Sequence, residues 1–149
     1  MAGFLVTLLL TPRVRSLALR FNVVDNPGGR RLHEGVTPRA GGIAVFVGFQ
    51  VAAALVFFLP WLPFSGSLDA AWYGKFLATS SAMLLLGLAD DVWEVTAVYK
   101  LAGQMVISLC AIGLGMRMGV LLGVELPLLL DWGLSLLWFL LLINAFNLI

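Results

Sequence analysis

Residues Trp72–Asp91 read WYGKFLATSSAMLLLGLADD. From Trp72 to Ala89 the run carries one charge, Lys75, and it then ends on two adjacent carboxylates, Asp90 and Asp91. A stretch of this character is a membrane-span candidate, because about 20 apolar residues cross the hydrocarbon core. Carboxylates at the edge of a span are expensive, so a functional site is the first hypothesis for them. Side by side they repel unless a cation or a shared proton offsets the repulsion. Magnesium, a hard cation that takes oxygen ligands and accompanies phosphates, is the candidate cofactor.

The rest of the chain agrees with a membrane setting. It has 149 residues, 61% hydrophobic and only 11% charged, with a mean hydropathy of +1.02. Soluble domains average about 45–50% apolar and about 25% charged. The composition therefore points to an integral membrane protein and excludes an ordinary soluble domain. A net charge of +1 gives no electrostatic reason to expect a nucleic-acid partner. The lone cysteine, Cys110, cannot form an internal disulfide and reads as a small apolar residue. The opening MAGFLVTLLLTP has no basic residue ahead of its apolar core and no small-x-small site, so no cleaved leader is expected there.

Five spans are expected, giving an all-α, polytopic transmembrane helix bundle. They run over Ala2 to about Pro12, Gly41 to about Pro60, Ala71 to Ala89, Tyr99 to Gly115, and Trp132 to Ile149. The first is too short alone. Between the first two lies a polar, turn-rich stretch, Arg13 to Ala40, with Asn26-Pro27 and Gly28-Gly29 as turn signals. Trp61 to Asp69 reads as a short loop. Met116 to Asp131, MRMGVLLGVELPLLLD, reads as an extended loop or small hairpin.

Basic residues set the orientation, because they favour the cytoplasmic side. Arg13, Arg15, Arg20, Arg30, Arg31 and Arg39 fall between the first two spans, and alternation adds Lys100 to the same side. Only Lys75 and Arg117 fall on the other. The basic stretch, Asp90-Asp91 and the end of the fifth span, with Asn144 and Asn147, are thereby expected at one cytoplasmic membrane surface. There a site could meet a water-soluble phosphate compound and a bilayer lipid. The outer loops carry only scattered polar groups.

Each cluster also has a plainer reading. Asp90-Asp91 could cap the following helix, which accounts for one aspartate better than for two. Arg13, Arg15 and Arg20 fit lipid head groups. Arg30, Arg31 and His33, set between a glycine turn and TPRAGG, fit head groups or a phosphate, whose oxygens match the guanidinium fork. Gly41-Gly42 could serve helix packing or close approach of a ligand to the backbone. Lys100, four residues before Gln104 on one helix face, could snorkel or balance the aspartates. Asn144 and Asn147 could bond between helices or position a phosphate or sugar.

The succession VVDNPGGRRLHEGVTPRAGG, GLADD, VYKLAGQ and NAFNLI (residues 23–42, 87–91, 98–104 and 144–149) resembles the polyprenyl-phosphate N-acetylhexosamine-1-phosphate transferases, glycosyltransferase family 4. The motifs are weak singly, specific together, and cover nearly the whole chain. The basic stretch and KLAGQ look closer to the undecaprenyl-phosphate GlcNAc-1-phosphate branch than to the MurNAc-pentapeptide branch.

The resemblance implies phosphoryl transfer from a UDP-sugar to undecaprenyl phosphate, with UMP released, in cell-envelope polysaccharide synthesis. It implies Mg2+, with Mn2+ as a substitute, a multi-pass bacterial inner membrane protein, a cytoplasmic active face and room for a homodimer. By motif, Asp90 and Asp91 become the catalytic pair, Asp91 also supporting the metal. Lys100, Asn144, Asn147, Arg30, Arg31 and His33 become phosphate- or substrate-binding residues. The family pattern continues past NAFNLI with Asp-Gly, further aspartate loops and about half of the helices. Residues 1–149 are therefore expected to be the N-terminal part of one membrane-embedded transferase domain, inactive alone, with the main metal aspartates beyond Ile149. The alternatives are a non-catalytic membrane remnant and half of a transporter.

Overall fold

The structure is a computed structural model that describes residues 1–25, 37–59 and 69–147. Its helices are α1 (Ala2–Arg20), α2 (Gly41–Phe58), α3 (Ala70–Trp93), α4 (Ala97–Gly113) and α5 (Leu128–Asn147). Two small antiparallel ladders accompany them: β1 (Val24–Asp25) with β2 (Thr37–Pro38), and β3 (Val120–Leu121) with β4 (Val124–Glu125). α1, α2, α3 and α5 are long and apolar enough to cross a membrane, whereas α4 has 17 residues. The all-α, polytopic expectation is thus met. The chain forms two compact units, residues 1–70 with 87–94, and 71–86 with 95–149.

In the first unit α1 and α2 cross at small residues. A Cβ placed on Gly3 would lie 2.7 Å from the Gly48 carbonyl oxygen, and one placed on Gly48 would overlap Thr7 Oγ1. Thr7 Oγ1 donates to the Ala44 carbonyl at 3.3 Å. Gly3 and Thr7 therefore face Ala44 and Gly48, each pair four residues apart and on one helix face. Small residues let backbones approach where lipid gives no hydrophobic drive for helices to associate. Below this crossing Val14, Ala18, Ala40 and Ala44 form a buried cluster, with Leu10, Val23 and Ile43 packed against it.

That cluster explains the first departure from the sequence expectation. α1 does not stop near Pro12 but runs on to Arg20, so Arg13, Arg15 and Arg20 belong to a helix rather than to a loop. Pro12 removes one intrahelical hydrogen bond. Burial of Val14 and Ala18 against α2 carries the helix past it, and arginines at a helix C-terminus suit its negative dipole end. The helix then closes with Asn22 in the left-handed region (φ 57°), Asn22 N–H donating to Leu19 O and Val23 N–H to Ala18 O. The chain enters β1, and Arg39 N–H, just after β2, donates back to Val23 O at 3.2 Å.

In the second unit α4 buries Gln104, Ser108, Ala111 and Ile112, one helical face. Gly103 lies against Leu86 of α3, where a Cβ would come within 2.9 Å of Leu86 Cδ1. α4 ends with Gly115 at φ 96°, Gly115 N–H bonding Ile112 O and Met116 N–H bonding Ala111 O. The expected hairpin is present as β3–β4. α5 begins at Leu128 rather than Trp132, because Leu128–Asp131 form its first turn. The expected loop at 61–69 lies outside the described residues except for Asp69.

Candidate functional site

Asp90 and Asp91 lie in the last turn of α3, half-buried. The span was expected to end at Ala89, with an aspartate capping the next helix. Instead α3 continues to Trp93, Glu94 closes it in the left-handed region (φ 48°), and Thr96 holds the N-cap position of α4. The capping reading of the pair therefore fails. Its placement also runs against the helix field: two carboxylates at a C-terminal end face the negative pole, at about 0.3–1 kcal/mol each. α3 supplies no basic residue in that turn, so the offset comes from elsewhere.

A contact within the first unit ties the basic stretch to this helix end. Arg39 Nη1 lies 3.4 Å from Glu94 Oε1, an exposed ion pair between the residue following β2 and the residue that terminates α3. The β1–β2 ladder closes the base of residues 26–36, and Arg39 joins that base to the Asp90–Asp91 end of α3. Arg30, Arg31 and His33 themselves lie outside the described residues. Neither Arg39 nor Glu94 stood among the residues expected to act. The sequence signal was Arg39 before the glycine pair, a charge whose partner is 55 residues away.

Gly41 and Gly42 open α2, and a Cβ on either meets nothing within 4 Å among the described residues. The packing explanation for these glycines thus finds no neighbour there.

The second unit carries the other expected residues. Lys100 is half-buried in the first turn of α4. Gln104, one turn on, is buried, and Asn144 Nδ2 donates to Gln104 Oε1 at 2.9 Å and to Leu140 O at 2.8 Å. The structural alternative for Asn144, a bond between helices, is therefore realised, and Gln104 joins the cluster as its partner. Asn147 is the last residue of α5.

Magnesium needs more than these groups provide. It favours six oxygen ligands in near-octahedral order, several of them often water. Successive helix residues point about 100° apart, so Asp90 and Asp91 do not form a chelate by sequence alone. No group of three or more His, Cys, Asp or Glu that could hold a metal is present among the described residues. The described residues do not by themselves compose a magnesium site.

The expectation of only scattered polar groups in Met116–Asp131 is overturned. Asp131, 1% exposed, accepts from Gly119 N–H at 2.9 Å and from Ser135 Oγ at 3.3 Å, and pairs with Arg117 Nη1 at 3.1 Å. Met118 N–H donates to Ser135 Oγ at 3.0 Å. A cavity of about 300 Å³ opens beside this network, between Arg117 and the rings of Trp72, Trp138 and Phe139. Arg117 and Asp131, 14 apart in sequence, carried no local pattern that announced a pair.

The family model for glycosyl transferase family 4 matches residues 73–149, just over half of the chain, including GLADD, KLAGQ and NAFNLI. The chain belongs to glycosyl transferase family 4. This family 4 chain is 29% identical over 99% of its length to a Bacillus subtilis (strain 168) protein named "Probable undecaprenyl-phosphate N-acetylglucosaminyl 1-phosphate transferase". Over 78% of its length it is 32% identical to a decaprenyl-phosphate N-acetylglucosaminephosphotransferase of Mycolicibacterium smegmatis. Over 70% it is 27% identical to an undecaprenyl-phosphate alpha-N-acetylglucosaminyl 1-phosphate transferase of Salmonella typhi. The family 4 chain spans 40%, 29% and 26% of these relatives' lengths, respectively. No solved structure matches it.

Proposed function

We propose that this chain contributes the N-terminal part of a single membrane-embedded domain that transfers GlcNAc-1-phosphate, or a related amino-sugar phosphate, from a UDP-sugar to a polyprenyl phosphate. The observation that carries the reading is the pair Asp90–Asp91 at the unfavourable end of the α3 dipole, with Arg39–Glu94 fastening the base of a basic stretch to the same end. A carboxylate pair held against the helix field is the kind of local cost that functional sites sustain. The family and the printed names of the relatives support the substrate classes.

In the proposed reaction an oxygen of the lipid phosphate attacks the β-phosphorus of the UDP-sugar. A new phosphoanhydride bond forms to the lipid, the bond from the β-phosphorus to the bridging oxygen breaks, and UMP leaves with the electron pair. Phosphoryl transfer asks a protein mainly for positioning and charge stabilisation. Asp90 activates and orients the attacking lipid phosphate, and Asp91 positions it. Lys100, Arg30, Arg31 and His33 bind phosphate, and the Asn144–Gln104 amides with Asn147 order the nucleotide-sugar side. The basic residues put this face in the cytoplasm of a bacterial plasma membrane, in cell-envelope polysaccharide synthesis.

The test is UMP release from UDP-GlcNAc by the full-length gene product with undecaprenyl phosphate and magnesium. Turnover is expected from the wild type and loss of it in Asp90→Asn combined with Asp91→Asn. Normal turnover in the double variant would refute the assignment.

A further inference from the structure

Residues 118–130 read MGVLLGVELPLLL, with Glu125 the one charge. β3 and β4 form a hairpin with a two-residue turn, Leu122-Gly123, between the paired Leu121 and Val124. Both turn residues have positive φ, 51° at Leu122 and 82° at Gly123. Such a turn takes Asn, Asp or Gly readily, and a leucine there is strained. This leucine is also 96% exposed. The chain therefore accepts backbone strain to present a bare leucine at a tip, where asparagine would suit both backbone and water.

The exposure is not confined to the tip. Successive strand residues point to opposite faces, and Val120, Leu121 and Val124 are all exposed, so both faces of the ribbon are apolar. The base, by contrast, is fixed. Buried Asp131 holds Gly119 N–H and Arg117, and Leu126 N–H bonds Gly119 O at 2.9 Å.

Two observations say what covers this ribbon. The hairpin's apolar surface continues into Leu128, Leu129 and Leu130, the exposed first turn of α5, which is long and apolar enough to span. The preceding helix, α4, has 17 residues, a length of about 26 Å against a hydrocarbon core of about 30 Å. A short span draws its following loop toward the apolar boundary. We propose that the β3–β4 hairpin is a membrane-dipping element, its Leu122 tip seated in the bilayer leaflet at the C-terminal end of α4. It anchors the α4–α5 connection as an interfacial apolar face does, whatever reaction the protein performs.

The experiment uses a single-cysteine form of the full-length gene product, with Leu122→Cys carrying an environment-sensitive nitrobenzoxadiazole label, in phosphatidylcholine vesicles. The expected result is blue-shifted emission, at least twofold quenching by lipids bearing a nitroxide near the head group, and little quenching by iodide. Water-like emission with iodide quenching would overturn the proposal. Blue-shifted emission without nitroxide-lipid quenching would also overturn it, placing the tip against protein or a second copy. A second form keeps the hairpin's fold: Leu122→Asn, which suits the turn better, with the label on Val124→Cys. At least twofold weaker lipid quenching than with Leu122 present is expected, and unchanged quenching would overturn the anchoring role of Leu122.

Discussion

Arg39 Nη1 and Glu94 Oε1 stand 3.4 Å apart, joining the residue that follows β2 to the left-handed residue that ends α3. An exposed pair of this kind contributes at most about 1 kcal/mol to stability. Its consequence lies in registering the basic stretch against Asp90–Asp91. Glu94→Gly keeps the backbone conformation, indeed eases it, while deleting the carboxylate. We expect turnover to fall about three- to tenfold, equivalent to about 0.6–1.4 kcal/mol of barrier, with the melting temperature unchanged or raised. Exchanging the charges, Arg39→Glu with Glu94→Arg, should recover more turnover than either single change retains. Measuring kcat in all four forms decides it; equal activity throughout removes the positioning role.

Neutralising the aspartates should separate activity from stability. Asp90→Asn and Asp91→Asn each remove a negative charge from the negative end of α3, relieving about 0.3–1 kcal/mol. Thermal unfolding in detergent should show equal or greater stability, and the transferase assay a loss of at least about 100-fold, roughly 2.7 kcal/mol of barrier. A marked drop in melting temperature would assign the pair to structure instead.

Gly48→Ala should loosen the α1–α2 crossing. The added methyl would overlap Thr7 Oγ1 and come within 2.6 Å of the Gly3 carbonyl oxygen, and the latter is backbone, which cannot rotate away. Overpacking of this kind costs about 1–3 kcal/mol. Gly41→Ala meets open space among the described residues and should leave stability nearly unchanged. Comparing the two melting temperatures tests the crossing; a tolerated Gly48→Ala would contradict it.

Asn144→Leu should strand Gln104, buried at 2% exposure, without its amide donor. Hydrogen bonds between membrane helices contribute about 0.6–2 kcal/mol. A loss in that range is expected, and Gln104→Leu together with Asn144→Leu should cost less than the sum of the two single changes, since neither amide is then left unpaired. Strict additivity in the double-mutant cycle would deny the pair its coupling.

Asp131→Ala should cost about 2–3 kcal/mol, because it leaves Gly119 N–H and the Ser135 hydroxyl without their acceptor and Arg117 without its counter-ion. Limited proteolysis near residues 119–125 should accelerate together with that loss. Unchanged protection would mean that the hairpin does not depend on its base.

The sequence by itself determined the class of the molecule. Runs of apolar residues such as Trp72–Ala89 admit one solvent, and lipid requires helices whose backbone groups bond internally. It also determined the order of the motifs that mark the family, because GLADD, KLAGQ and NAFNLI are contiguous strings. The hairpin between α4 and α5 was legible too, in its glycines and its Glu-Leu-Pro. Tertiary structure decided the rest. α1 passes Pro12 because Val14 and Ala18 are buried against α2, a contact that no local propensity contains. α3 outlasts Ala89, which turns Asp90 and Asp91 from caps into residues opposed by their own helix. Arg39 meets Glu94, Gln104 meets Asn144 and Arg117 meets Asp131 across separations of 55, 40 and 14 residues. Periodicity and turn chemistry act over a few residues, whereas a charge or an amide finds its partner only once the packed backbones have brought the two together.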